Sequence, residues 1–258
     1  MPSYMSRDQR GFTLIEMSIV LVIIGLIVGG ILKGQEVIES ARQKNLAAMY
    51  DQIRAAQNTF VDRYRALPGD FAQATSKISA QVENGDNNGF VATAAGIAAA
   101  SAAGIAGVNA SQGEFYGYFQ SLVASGLYGG GQVGASSGVS IFSGGATPSP
   151  LPSAPWSNTG LTAASGTHEG VTSVPASRMS AVWLRLAATA GAISASSQGA
   201  LTAASAFQVD QKFDDGVPGL GRIRNSGLTT GVCGGPANPY TVTASTENRE
   251  CDLFLAVD

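Results

Sequence analysis

The chain has 258 residues and a formal net charge of −3, and only 13% of its residues are charged. This composition lacks the basic excess that is typical of nucleic-acid-binding proteins, so it gives no support for that class of function. The sequence has a single histidine, His168, and contains neither a G-x-x-x-x-G-K-[ST] loop nor a C-x-x-C pair, so we predict that the protein is not an enzyme.

An apolar segment begins close to the amino terminus. Residues 12–32 are 21 positions with Glu16 as the only charge, which is close to the ~20 residues that a helix needs to cross a membrane. A carboxylate within lipid costs roughly 2.5–3.5 kcal/mol near the bilayer centre and less near an interface, and such residues usually face a protein partner. We therefore expect Glu16 to meet a cation from another subunit.

Residues 1–11 form a short leader that carries Arg7 and Arg10 against Asp8. A positive excess before an apolar segment predicts a cytoplasmic amino terminus, which places the rest of the chain across the membrane. An ordinary secretory signal has its small-residue cleavage site after the apolar region, and this segment does not look like one. An uncleaved signal anchor holding an extracytoplasmic domain is one interpretation of it.

The segment 11–16, which reads Gly-Phe-Thr-Leu-Ile-Glu after the basic leader, resembles the prepilin signal of type IV pilins and type II secretion pseudopilins. The resemblance implies that a prepilin peptidase cuts between Gly11 and Phe12 and that the new amino-terminal residue, Phe12, is N-methylated. It also implies that Glu16 pairs with the amine of Phe12 in a neighbouring subunit. Leaving a buried charge without its partner costs roughly 3–5 kcal/mol, so assembly is expected to depend on Glu16.

Residues 33–66 continue as an amphipathic stretch. Apolar or small side chains recur there at spacings of three and four residues, which is typical of a helix with one buried face. These side chains are Leu46, Met49, Ile53, Ala56, Phe60 and Tyr64. No proline occurs between Phe12 and Leu67, so we predict one helix from about Phe12 to about Tyr64, ended by the Leu-Pro-Gly-Asp sequence of residues 67–70.

Residues 67–258 are predicted to form one globular head. A short helix is expected over Glu114–Leu127, and strands are expected over Ser177–Leu186 and in part of Thr241–Val257. The stretch Gly129–Pro155 is rich in Gly, Ser and Pro, which is typical of a long surface loop. The expected fold is α+β and type IV pilin-like: a long amino-terminal helix, its first half transmembrane, packed on a small antiparallel sheet with long loops.

The two cysteines, Cys233 and Cys251, lie late in a chain that is predicted to be exported. Oxidising conditions favour a disulfide between them, and its loop of 18 positions would contribute around 3 kcal/mol on the chain-entropy model. Two unpaired thiols are the alternative. The positions resemble the carboxy-terminal disulfide loop found in many type IV pilins, which implies the paired state.

Two acidic turns offer the hard oxygen ligands that calcium prefers. One contains Asp86 and Asn88, and the other contains Asp210, Asp214 and Asp215. Neither turn matches an EF-hand loop. The alternative is that these side chains make local hydrogen bonds within their own turns, so calcium is the only cofactor that the sequence suggests.

The sequence therefore predicts a structural subunit with a leader (1–11), a membrane and filament-core helix (12–32), an amphipathic helix half (33–66) and a head (67–258). Its expected partners are other pilin subunits, the prepilin peptidase, an inner-membrane assembly platform and, before assembly, membrane lipid. The resemblance implies a single-pass inner-membrane location with the head in the periplasm, and then a pilus or pseudopilus.

The mature length of 247 residues (258 minus 11) favours a minor pilin or pseudopilin, because a bulky head tolerates tight helical repetition less easily. A filament-tip adhesion or ligand-binding module is an alternative function. A signal-anchored extracytoplasmic domain is the third option.

Overall fold

The computed structural model describes residues 12–91, 114–131, 151–157, 159–169, 178–187, 199–227 and 251–257, together with the single residues 233, 240 and 249. The predicted leader, residues 1–11, lies outside these described residues. The chain divides into two compact units, residues 1–42 and 43–258.

The longest element is helix α1, Leu14–Tyr64, which confirms the prediction of a single long helix. It is continuous through Gly25, Gly29 and Gly30, although a glycine weakens a helix interior by about 1 kcal/mol. The helix ends where Arg65 adopts a left-handed conformation with a φ of 56° and donates its N–H to the Val61 carbonyl. This is a common way to satisfy the last carbonyls of a helix.

In the second unit, the carboxy-terminal half of α1 buries the side chains that its periodicity predicts. Leu46, Ile53, Ala56 and Phe60 are buried in the main core, and Met49 and Tyr64 pack against it in partly buried positions. The same face carries two buried glutamines, Gln43 and Gln57. Gln43 donates to the Gln208 side chain at 2.8 Å, and Gln57 accepts from the Tyr118 hydroxyl at 2.7 Å. Each buried amide therefore has a partner, as burial of a polar group requires.

Four antiparallel strands form the sheet of the head: β1 (Gly160–Glu169), β2 (Arg178–Ala187), β3 (Ile223–Gly227) and β4 (Cys251–Val257). Their order is β1-β2-β4-β3. Strands β2 and β4 confirm the two predicted strands, whereas β1 and β3 were not predicted. The last strand in the sequence is an interior strand of the sheet, and all seven of its residues are buried.

The two faces of the sheet bury different side chains. Leu184 and Leu255 belong to the main core, together with the inner face of α1. Trp183 and Phe254, which alternate with them along the strands, form a second buried cluster. Beside the Trp183 and Phe254 positions, Arg185 and Asp252 make a buried ion pair at 2.6 Å.

Three shorter helices complete the described elements: α2 (Ala74–Lys77), α3 (Glu114–Ala124) and α4 (Ala203–Phe213). Helix α3 confirms the prediction for Glu114–Leu127, and Gly126 follows it with a φ of 73°. Helix α4 was not predicted, because its first turn lies in a stretch of small residues. Thr202 caps that turn by accepting a hydrogen bond from the Ser205 N–H.

The predicted loop Gly129–Pro155 falls largely on residues 132–150, which lie outside the described part of the chain. At its carboxy-terminal end the prediction of a surface loop is wrong, because Leu151 is buried in the main core. The carbonyl of Pro152 accepts a hydrogen bond from the Leu161 N–H of β1, and the Val91 carbonyl accepts one from the Ser165 N–H. These segments cover part of the outer edge of β1, which reduces the risk of edge-to-edge association.

Candidate functional site

The start of α1 is held by a reciprocal pair of hydrogen bonds between Thr13 and Glu16. The Glu16 N–H donates to the Thr13 Oγ1 atom at 3.3 Å, and the Thr13 N–H donates to the Glu16 Oε2 atom at 2.8 Å. The Thr13 hydroxyl also donates to Oε2, at 2.7 Å. This is the capping box of a T-x-x-E sequence, in which two donors at the helix start are satisfied by side chains.

The capping box was not predicted, although its sequence signal was available in residues 13–16. That signal is a threonine three positions before a glutamate, just ahead of an apolar run. Gly11, the residue before the predicted cleavage point, lies outside the described residues. Phe12 lies within them and is 79% exposed.

The apolar side chains in the first half of α1 are exposed. Among the described helices, only α1 is long and apolar enough to cross a membrane, a criterion that a signal sequence near the amino terminus also meets. Its large apolar side chains are exposed from Leu14 to Ile38. The exposed face thus extends beyond the predicted boundary at Leu32, past the ion pair between Lys33 and Glu36.

The first acidic turn of the head is centred on Asp70 rather than on Asp86 alone. Asp70 is buried, and its two carboxylate oxygens accept hydrogen bonds from the N–H groups of Asn88 and Gly89, each at 2.9 Å. Burial raises the pKa of Asp70, and these two hydrogen bonds oppose the rise. Asp86 and Glu114 each bring a carboxylate oxygen to within 4.8 Å of the others. Asp70 and Glu114 were not predicted as members of this group.

The second acidic turn brings Asp210, Asp214 and Asp215 together, with carboxylate oxygens that lie within 4.8 Å of one another. Asp210 is fully buried and accepts hydrogen bonds from the Tyr240 hydroxyl at 2.8 Å and the Gly216 N–H at 3.3 Å. Burial raises the pKa of Asp210 to about 7, and the nearby charges of Asp215 and Asp214 act in the same direction.

Three close carboxylates are a set of donors that calcium accepts, so both turns fit the chemistry of the ion. The hydrogen bonds within the turns also account for the arrangement. Asp214 accepts from the N–H of Ile223 at 2.7 Å, and Asp215 accepts from the N–H of Val217 at 2.8 Å. Asn88 donates its side-chain amide to Asp86 at 2.8 Å. Calcium at either turn therefore stays a prediction, which a calcium titration of the melting temperature would test.

Cys233 and Cys251 form a disulfide, with Cα atoms 5.5 Å apart and a sequence separation of 18. Cys251 is the first residue of β4, and both cysteines are buried. The bond thus ties the start of an interior strand to residue 233. Of the two alternatives that the sequence left open, the structure contains the paired one.

Comparison with known proteins identifies the amino-terminal segment. Residues 6–32 match the family model of the prokaryotic N-terminal methylation motif. No curated protein and no solved structure matches the chain. The chain therefore carries a prepilin signal of the type IV pilin and pseudopilin kind, and the α+β arrangement of a long helix and a small antiparallel sheet is consistent with a pilin-like fold.

Proposed function

We propose that the protein is a structural subunit of a type IV pilus or pseudopilus, cut by a prepilin peptidase after Gly11 and assembled through its amino-terminal helix. One observation supports this above all others. The first half of α1 is exposed and apolar, and Glu16 is the only charge between Phe12 and Leu32. A surface of this kind is stable only in lipid or against other apolar helices.

The apolar surface that this segment exposes is large. Leu21 is 69% exposed and Leu26 is 73% exposed, and full burial of a side chain of this size is worth roughly 1.5–3 kcal/mol. More than a dozen such side chains lie along the segment. Membrane lipid satisfies this surface in the unassembled subunit, and the helices of neighbouring subunits do so in a filament.

Glu16 supplies specificity to an otherwise non-directional surface. A carboxylate among apolar helices needs a cation, since an unpaired buried charge costs several kcal/mol. The amine of a processed Phe12 on a second subunit is such a cation. Pairing then favours one axial offset between neighbouring helices over others, which is what a regular filament requires.

The remaining roles follow from this proposal. The head lies in the periplasm before assembly and on the outside of the filament afterwards, and an inner-membrane platform moves the subunit between the two. The large head favours a minor pilin or pseudopilin over a major subunit. No catalytic role is proposed, because the prepilin signal points to a family of structural subunits.

The test is the intact mass and amino-terminal sequence of the protein from membranes of cells with and without the prepilin peptidase. We expect a mature chain that begins at N-methyl-Phe12, and we expect it to be lost when the peptidase is absent. A chain that begins at Met1 in both strains would refute the proposal and leave an anchored extracytoplasmic domain.

Filament membership needs a second measurement. Sheared surface fractions should contain the mature chain, and a Glu16→Gln variant should be processed but depleted from those fractions. Gln retains the size and hydrogen-bonding groups of the side chain but lacks its charge. Equal recovery of Glu16→Gln and wild type would contradict the proposed pairing.

A further inference from the structure

We propose that Asn88 and Gly89 form a self-modifying site, at which the Asn88 side chain cyclises onto the Gly89 nitrogen with the Asp70 carboxylate as general base. The product is an aspartate at residue 88, or an isoaspartate, in which the backbone runs through the side-chain carbonyl carbon. The reaction alters the chain itself and turns over no separate substrate. It needs only water, so the inference does not depend on the proposed function.

The sequence contains two Asn-Gly pairs, Asn84-Gly85 and Asn88-Gly89. Glycine has no side chain to hinder the approach of its own nitrogen to the preceding side chain, and it adopts backbone conformations that other residues avoid. An asparagine before a glycine therefore meets the least steric resistance to ring closure. The two pairs lie in one turn but have different surroundings, so a single chain supplies both the candidate site and its control.

The nucleophile of the proposed reaction is the Gly89 nitrogen. Its N–H donates to the Asp70 Oδ2 atom at 2.9 Å, so a carboxylate lies against the proton that must leave when the nitrogen attacks. This distance is within the reach that a general base requires. Burial raises the pKa of Asp70, which makes its carboxylate a stronger proton acceptor. Gly89 is exposed, with open space where a Cβ would stand, so water has access to the ring that forms.

The electrophile is the Cγ carbon of Asn88. Its carbonyl oxygen, Oδ1, accepts a hydrogen bond from the Phe90 N–H at 2.8 Å, so the side chain turns back along the Gly89 peptide. A donor at this oxygen stabilises the negative charge that develops there when Cγ becomes tetrahedral. The side-chain amide nitrogen, Nδ2, donates to the Asp86 Oδ2 atom at 2.8 Å. The two contacts hold the reacting carbon in one orientation, which lowers the entropic part of the barrier.

The reaction has two steps, and each is balanced. In the first, the bond between the Gly89 nitrogen and Asn88 Cγ forms while Asp70 takes the proton of that nitrogen. The Cγ–Nδ2 bond then breaks, and the amide nitrogen leaves as ammonia with this proton, so that Asp70 is ionised again. In the second, one water molecule adds to either carbonyl of the cyclic imide and opens it to aspartate or isoaspartate. A neutral amide thus becomes a carboxylate, which changes the formal net charge from −3 to −4.

The contacts of the other pair, Asn84 and Gly85, are different. The Asn84 Oδ1 atom accepts from the Thr75 N–H at 2.8 Å, and the Gly85 N–H donates to the Phe71 carbonyl at 3.1 Å. A backbone carbonyl cannot take a proton from an amide nitrogen as a carboxylate can. A Cβ at residue 85 would lie 2.2 Å from the backbone of Asp70, so this pair is also tightly packed. We therefore expect Asn84 to react slowly in the folded chain.

The test incubates the purified full chain in detergent at neutral pH and follows both asparagines by peptide mass spectrometry, in which fragment ions distinguish residue 84 from residue 88. A positioned general base contributes roughly 10²–10⁴-fold, so Asn88 should convert at least about tenfold faster than Asn84 in the folded chain. Unfolding in guanidinium chloride should bring the two rates together, because both pairs then lose their tertiary contacts.

Two variants separate the base from the surrounding charge. Asp70→Asn keeps the size of the side chain but removes the base, so it should lower the Asn88 rate at least about tenfold. Glu114→Gln is the matched control. Glu114 accepts from the Asp86 N–H at 3.0 Å, so this change removes a charge from the same group of carboxylates and keeps an acceptor. Its Asn88 rate should equal that of wild type.

Several results would overturn the inference. Equal rates at Asn84 and Asn88 in the folded wild type would do so, as would a chain in which neither residue converts. A rate for Asp70→Asn that equals or exceeds the wild-type rate would show that Asp70 only holds the turn in place, because a looser turn reaches the cyclisation geometry more often. If Asp70→Asn does not fold, the comparison of the two asparagines within the wild-type chain still decides the question.

Discussion

Asp210 should make the head less stable as the pH rises, and Asp210→Asn should remove that dependence. The carboxylate is fully buried beside Asp214 and Asp215, and it accepts from the Tyr240 hydroxyl. Burial lowers the pKa of the Arg224 guanidinium. The charges of Asp214 and Asp215 raise this pKa, but their effect is smaller than that of burial. Burial and the two neighbouring carboxylates therefore favour the protonated form of Asp210, whose pKa rises to about 7.

The sign follows from proton binding. The unfolded chain releases this proton near the ordinary pKa of 3.8, whereas the folded chain holds it until about 7. Between these values the folded state binds more protons, so the free energy of unfolding falls as the pH rises and becomes level above about 7. The interval is about 3 pH units at 1.36 kcal/mol each, which gives an upper bound of about 4 kcal/mol.

The assay is urea unfolding of the full chain in detergent, followed by tryptophan fluorescence at several values between pH 4 and pH 8. Trp156 and Trp183 are both buried, so their emission reports the loss of the core. Asp210→Asn should be more stable than wild type at pH 8, by up to about 4 kcal/mol less about 1 kcal/mol for imperfect hydrogen bonding. At pH 4 the carboxyl group is protonated in the folded state, so the variant should be less stable than wild type by only that cost of about 1 kcal/mol.

Asp215→Asn provides a graded control, because it removes a neighbouring charge and keeps an acceptor for the Val217 N–H. It should move the pH at which stability becomes level to a lower value without abolishing the slope. If Asp210→Asn and wild type instead lose stability in parallel between pH 4 and pH 7, the reasoning fails, because the slope would then belong to other groups.

Three further changes test the packing of the head by urea unfolding. Replacing both Cys233 and Cys251 by serine should lower the free energy of unfolding by about 3 kcal/mol, as expected for a loop of 18 positions, and an unchanged midpoint would contradict this. Gly69→Ala should destabilise the head far more than Gly89→Ala. Both glycines have a φ near 87° (87° and 86°), but only a Cβ added at residue 69 would lie 2.2 Å from a carbonyl oxygen of α3. Arg185→Met should cost roughly 3–5 kcal/mol, because it leaves a buried carboxylate without its cation; a loss below 1 kcal/mol would show that the pair is not needed.

The sequence predicted α1 and strands β2 and β4 because their signals are local. Apolar residues at spacings of three and four, with no proline between Phe12 and Leu67, specify a long helix wherever it packs. The runs around Trp183 and Leu253 are continuous and apolar, as expected for strands that are covered on both faces. Such patterns need no knowledge of the rest of the fold.

Strand β1 could not be predicted in the same way. It reads Gly-Leu-Thr-Ala-Ala-Ser-Gly-Thr-His-Glu over residues 160–169, which is too small and polar to signal a strand. Its pairing with β2 over ten positions, from Gly160 with Ala187 to Glu169 with Arg178, supplies the structure. Pairing with β2 therefore determines that this segment is a strand, because its own residues have little β-propensity.

The candidate sites were predicted only in part, for the same reason. Asp86 and Asp210 stood out because each lies in a turn-forming sequence rich in Asp, Asn and Gly. Asp70 and Glu114 join the first of these turns from positions 16 residues before and 28 residues after Asp86. The proximity of these three carboxylates depends on how the chain folds back after α1, and no local sequence pattern predicts it.

The position of β4 has a consequence for when the head can fold. This strand lies between β2 and β3, so neither the β2 pairing nor the β3 pairing is complete without the final described segment of the chain. Its carbonyls also accept hydrogen bonds from α1. The Tyr50 hydroxyl donates to the Ala256 carbonyl, and the Gln57 side-chain amide donates to the Val257 carbonyl at 3.5 Å.

The head sheet therefore needs both an early helix and the last strand. If the head is exported as proposed, both must cross the membrane before the core can close, and only then does Cys251 lie opposite Cys233. Non-local pairing of this kind is slow, because loop closure must precede the contacts that reward it.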